Sequence, residues 1–256
     1  MKKTTKVASL AIVLFAGLNG TAHAKQNKSH TKVESNSPAI QTVISPAVSE
    51  SNVSNPTTIE ANGFKMSADV VSSYVWRGGE LGDSPAVQPA LSYTFPGLAV
   101  VIGAWGSYGI KDTAGIRYKE TDLYVTVPAG PFSMTVTDYY VSTNTSRTFD
   151  FSSTGPNVVE CSVGYAKENL SLLAAINVAG NHLNKAKYLE AGCKIYDKDK
   201  YTAKAIIGAG DEAYSKPGKG FNLVNVGCTV SKKNYSASYI YNPATEKSNL
   251  VFTASF

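Results

Sequence analysis

Asn249-Leu250-Val251-Phe252-Thr253-Ala254-Ser255-Phe256 alternates apolar and small polar residues and stops on an aromatic. In an extended strand, Leu250, Phe252, Ala254 and Phe256 line one face while Val251, Thr253 and Ser255 line the other. A water-soluble fold seldom ends inside a regular strand on an exposed phenylalanine. The pattern points instead to the closing strand of a bacterial outer-membrane β-barrel. On that expectation the apolar face meets outer-membrane lipid, and Phe256 is the assembly signal met by the barrel assembly machinery.

The same alternation recurs upstream. Strands are expected over 64–76, 86–95, 98–108, 117–127, 132–142, 157–166, 169–179, 187–196, 200–209, 221–231, 234–242 and 248–256. Most run about 9–11 residues, the length a tilted strand needs to cross a bilayer, against about 5–6 in soluble proteins. Phe95-Pro96-Gly97-Leu98, Pro128-Ala129-Gly130-Pro131, Lys167-Glu168, Asp197-Lys198-Asp199 and Lys232-Lys233 read as tight turns. Between them fall longer polar loops at 77–85, 109–116, 143–156, 180–186, 210–220 and 243–247. Strict alternation of short turn and long loop is the habit of an outer-membrane barrel. The expected fold is therefore all-β, a transmembrane antiparallel up-and-down barrel of about 12 strands over 63–256, with both termini on the periplasmic side.

Targeting and composition agree. Lys2, Lys3 and Lys6, the apolar run Val7 to Gly17 and Ala22-His23-Ala24 form a secretory signal peptide over 1–24. Residues 25–62, rich in Ser, Thr, Asn and Pro, read as a disordered periplasmic tail. No other stretch approaches the roughly 18 continuous apolar residues of a membrane helix. Removing the signal leaves 21 basic against 19 acidic residues, +2, which gives no reason to expect nucleic acid as a partner. The expected location is the outer membrane of a Gram-negative envelope, reached by Sec export.

Parity separates the two faces. A charge facing lipid near the midplane costs about 2–4 kcal/mol, so mid-strand charges belong to the lumen. Lys65, Asp69 and Arg77 oppose Phe64, Met66, Val70, Tyr74 and Trp76. Glu120 and Asp122 oppose Leu123, Val125 and Val127, and Glu160 opposes Val159, Cys161, Val163 and Tyr165. Glu190 and Lys194 oppose Leu189, Cys193 and Ile195, and Lys204 opposes Tyr201, Ala203 and Ile207. These nine charges are the expected lumen lining. Asp138 shares parity with Phe132, Met134 and Val136, which requires an outer-rim position or a bulge. Phe64, Phe95, Phe132, Tyr165, Tyr201, Tyr235 and Phe256 fit one aromatic girdle; Trp76, Tyr140, Phe221 and Tyr241 fit the other.

Ser67-Ala68-Asp69-Val70-Val71-Ser72-Ser73-Tyr74-Val75-Trp76-Arg77-Gly78-Gly79, followed by Asp83-Ser84-Pro85-Ala86-Val87-Gln88-Pro89-Ala90-Leu91-Ser92-Tyr93, resembles the TorF-type porin family. Gly103-Ala104-Trp105-Gly106-Ser107-Tyr108, Glu120-Thr121-Asp122-Leu123-Tyr124 and Val136-Thr137-Asp138-Tyr139-Tyr140 look like its next blocks. The resemblance covers about residues 67–140. It implies an outer-membrane barrel and a porin, and it brings no catalytic residues.

Enzyme chemistry has no foothold in the motifs. HExxH, GxSxG, a P-loop and a Cys/His cluster are all missing from the sequence, so neither catalytic residues, cofactor nor metal is expected. His182 falls in a polar loop. Cys161, Cys193 and Cys228 are an odd number without CxxC spacing and read as small hydrophobes. Two functions stay open: passive diffusion of small hydrophilic solutes through a narrow mixed-charge lumen, or a plugged, non-conducting barrel whose loops 143–156 and 210–220 serve binding or adhesion.

Overall fold

The computed structural model describes residues 63–112, 117–142, 147–181, 185–211, 213–218 and 220–256. The signal peptide, the tail and His182 lie outside them. In chain order the strands are β1 (Gly63–Val71), β2 (Tyr74–Trp76), β3 (Gly79–Gly82), β4 (Ala86–Thr94), β5 (Val101–Gly109), β6 (Lys119–Ala129) and β7 (Phe132–Val141). They continue with β8 (Asn157–Lys167), β9 (Leu170–Gly180), β10 (Lys187–Lys198), β11 (Tyr201–Gly210), β12 (Asn222–Lys232), β13 (Tyr235–Asn242) and β14 (Lys247–Ser255).

Twelve of these, all but β2 and β3, close into one antiparallel barrel in which neighbours in sequence are neighbours in space. The expected all-β barrel of about 12 strands is what forms. β1 pairs with β4 through nine Cα partners from Gly63↔Thr94 to Val71↔Ala86. It closes the ring on β14 through three, Asp69↔Ser255, Val70↔Ala254 and Val71↔Thr253. Two reciprocal backbone bonds, Ala68 N to Phe256 O at 3.1 Å and Phe256 N to Ala68 O at 2.9 Å, extend that seam to the last residue.

Turn chemistry explains why one rim is tight. Between β10 and β11 both Asp199 and Lys200 carry positive φ, at 56° and 68°, the signature of a two-residue primed turn that matches strand twist. This moves the expected turn two residues on from Asp197.

The outward face carries the apolar residues. Phe64, Met66, Leu123, Val125, Met134, Val163, Leu189, Ile207, Leu250 and Phe252 are exposed. Burial instead concentrates inside the ring, around Tyr139, Val158, Tyr188, Tyr214 and Val224. This is an inside-out distribution for a soluble protein and the ordinary one for a barrel set in lipid. Asp138 is an outward residue in unbroken register opposite Val159, three residues from the end of β7. Its carboxylate accepts a 2.9 Å bond from the Asn157 side chain, so no bulge in that pair is needed to place it.

One expected element is corrected. The barrel strand read over 64–76 ends at Val71, and the chain then folds back as the short hairpin β2–β3 inside the ring. Ser72 and Ser73 break the strand.

Candidate functional site

The hairpin β2–β3 fills the half of the lumen nearest the long loops. Its tip is Arg77-Gly78, both in the left-handed region at φ 48° and 81°. A Cβ at Gly78 would fall 1.9 Å from the Val224 carbonyl oxygen, so only glycine lets the tip seat here. Val224 is available because a bulge between Gly208 and Ala209 of the β11–β12 pairing leaves it the extra residue.

Seating the tip buries Arg77. Its guanidinium spans Glu160 with Nη1 to Oε2 at 2.7 Å and Nη2 to Oε1 at 2.9 Å, and Nη1 also donates to the Tyr214 hydroxyl at 2.7 Å. Tyr139 donates to the same carboxylate at 3.1 Å. The guanidinium carbon lies 4.3 Å from the Trp76 ring centroid and 4.4 Å from that of Tyr188. Trp76 meets Tyr139 and Tyr214 edge-on at 5.9 and 5.7 Å. Burial drives the pKa of the Tyr214 hydroxyl up to about 12 against the opposing pull of Arg77, so it stays protonated. A buried bidentate pair with its remaining lone pairs occupied offsets its desolvation only through such geometry.

Beside this lock run two further polar groups. Tyr188 donates to Glu190 at 2.6 Å, and the Asn225 amide reaches both at 3.1 and 3.3 Å. A Cβ at Gly208 would lie 2.2 Å from the Tyr188 hydroxyl, so the glycine makes room for that ring. On the opposite flank Glu120 and Asp122 are both wholly buried. Tyr118 donates to Glu120 at 2.9 Å, and Gln88 donates to Ser107 at 3.1 Å in the neighbouring row.

Toward the short turns the lining changes. Thr126 and Thr135 share a hydrogen bond at 2.9 Å, and Thr229 and Ser238 share one at 2.8 Å. The charges here are basic or paired near the rim. Lys194 and Lys204 are Cα partners on the inward face. Lys194 bonds Asp197 at 2.7 Å, and the Lys204 chain lies over Gly192, where a Cβ would fall 2.6 Å from its Cε. Lys65 sits near the start of β1, exposed, and Asp69 near its end, half-buried.

The nine charges named from parity therefore fall into two sets. Arg77, Glu120, Asp122, Glu160 and Glu190 are buried in the long-loop half. Lys65, Lys194 and Lys204 lie in the short-turn half, with Asp69 on β1 near the seam. Trp76 is corrected: it belongs to the interior, not to an outer aromatic girdle. Sequence reading did not name Tyr118, Tyr139, Tyr188 or Tyr214 as interior residues. The signal existed for two of them, since Tyr139 shares parity with Thr135 and Thr137, and Tyr188 with Glu190.

No protein-family model and no curated protein matches the chain. Among solved structures it is similar to Salmonella typhi OmpF in complex with daunomycin, at 10% identity and a TM-score of 0.30, over 76% of this chain and 98% of that one. A TM-score this low carries no argument. The class rests on the chain's own topology: a closed twelve-stranded barrel with an apolar outer belt and a hairpin folded into its lumen.

Proposed function

We propose that the chain is an outer-membrane channel of the TorF-type porin kind, a passive route for small hydrophilic solutes that the first hairpin holds shut at its long-loop end. The observation that carries this reading is the division of the lumen. The Ser/Thr/Gly-lined half toward the short turns has the small polar wall of an aqueous path, and the aromatic, charge-locked half has the build of an obstruction seated in it. Twelve strands lie between the side-chain-filled eight-stranded barrels and the open channels of sixteen to eighteen, so what the lumen holds decides conductance. The apolar belt supports placing the barrel in lipid, and the short turns would then face the periplasm.

Planar-bilayer recording of the folded chain tests this. The intact protein is expected to show small or rare openings, and deletion of residues 74–82 a large steady conductance. A deletion variant that migrates on gels as a folded barrel yet conducts no more than background would sink the channel. It would favour the second reading, a sealed barrel displaying 143–156 and 210–220 for binding or adhesion, which the Arg77–Glu160 lock also supports.

A further inference from the structure

We propose that Glu120 and Asp122, with the Tyr74 hydroxyl from the hairpin, form a binding site for a hard divalent cation, Ca²⁺, that ties the hairpin to the β6 wall.

The two carboxyl groups leave the same face of β6, two residues apart, and both residues are 0% exposed. Four buried oxygens in this one place have no hydrogen-bond partner: Glu120 Oε1, both oxygens of Asp122, and the Tyr74 hydroxyl. Tyr74 comes from a different element. It is only 4% exposed, and its ring packs against Trp105 at 5.7 Å and Tyr118 at 5.6 Å. Its hydroxyl faces Glu120, Glu120 lies within interaction range of Asp122, and the Tyr140 amide lies on the other side of Asp122. No cation compensates the pair among the described residues. The guanidinium of Arg77 is committed to Glu160 and Tyr214.

Buried carboxylates without a counter-charge are costly, and orphaned buried oxygens of this kind call for an ion, a proton or water. A single proton shared between the two acids would join them but leave one of the two buried charges uncompensated. A single divalent ion neutralises both charges and can take all four oxygens as ligands. No cluster of three or more His, Cys, Asp or Glu residues of metal-holding type occurs among the described residues, so neutral oxygens must complete the shell. Ca²⁺ accepts such a mixed shell of about 6–8 oxygens in irregular geometry, whereas Mg²⁺ demands a near-ideal octahedron and keeps its waters.

Terbium, which replaces Ca²⁺ at oxygen sites, provides the test, because Tyr74, Tyr118 and Trp105 stand where they can sensitise its emission. The full chain folded in detergent should show terbium luminescence excited through its aromatic residues and chased by Ca²⁺ but poorly by Mg²⁺. Glu120→Gln and Asp122→Asn, each checked for folding by heat-modifiable migration, should each weaken binding by at least about 10-fold. Tyr74→Phe should weaken it less while preserving the fold. Absence of Ca²⁺-displaceable emission from the intact chain overturns the site, as does unchanged emission in whichever variants fold. The readout is independent of conductance, so failure here leaves the channel reading where it was.

Discussion

The two halves of one lumen are built on different principles, although the same strands run through both. In the long-loop half, rings and charges are packed to exclusion: Tyr139, Tyr188 and Val224 are at most 1% exposed, and the Arg77–Glu160 pair is nearly dry. In the short-turn half, short hydroxyl side chains bond each other across strands, and Lys194 and Asp197 form their ion pair in contact with solvent. Identical chemistry thus has different consequences. A salt bridge in the first region holds a hairpin in place, while one in the second is screened and contributes little.

That contrast can be broken by experiment. The largest effect is expected from Glu160→Ala, which strands Arg77 without its partner; unfolding in urea from lipid vesicles should register about 3–5 kcal/mol of destabilisation. Lys194→Ala, measured the same way, should cost no more than about 1 kcal/mol. Equal losses would mean that the halves do not differ. Next comes the outer wall: Val163→Arg should cost about 2–4 kcal/mol near the bilayer midplane, and the adjacent inward Ser162→Arg distinctly less. If both behave alike in vesicle-folding assays, the belt is not facing lipid. Gly78→Ala is smaller in energy, about 1–3 kcal/mol, because the hairpin can withdraw to relieve the clash with Val224. Its clearer signature is conductance, which should rise as the tip unseats. The smallest effect belongs to Thr126→Val. Losing one hydroxyl bond at a wet wall should change stability by about 1 kcal/mol or less, with no change in single-channel current.

Most of the barrel was legible because a strand's two faces obey different solvents. The alternation that sets Glu160 against Val163 in the sequence is the one that separates a 2% exposed carboxylate from a 45% exposed valine in the fold. The hairpin was not legible for the same reason. Tyr74 and Trp76 continue the apolar parity of Met66, Ala68 and Val70, so periodicity alone cannot show where the chain leaves the sheet and turns inward. The local stops were present at Ser72-Ser73 and Gly78-Gly79, but their meaning depends on a partner, Glu160, that lies 83 residues away. The acid pair was visible as two inward charges. That three of its four carboxylate oxygens lack a closed hydrogen bond becomes apparent only when the side chains of β2, β5 and β6 meet.

The seam between β1 and β14 has a consequence for how the protein could be rewired. Order along the chain is also order around the ring, and Phe256 ends beside Ala68, five residues from where β1 begins at Gly63. This joint is the shortest in the wall, with three Cα partners, and the two bonds between Ala68 and Phe256 lengthen it. A short linker from Phe256 to Gly63, with new ends opened at Lys233-Asn234, would yield a circular permutant with the same twelve neighbours. In that permutant Phe256 would be joined to the start of β1, so its place in the wall could be tested apart from its place at the end of this sequence.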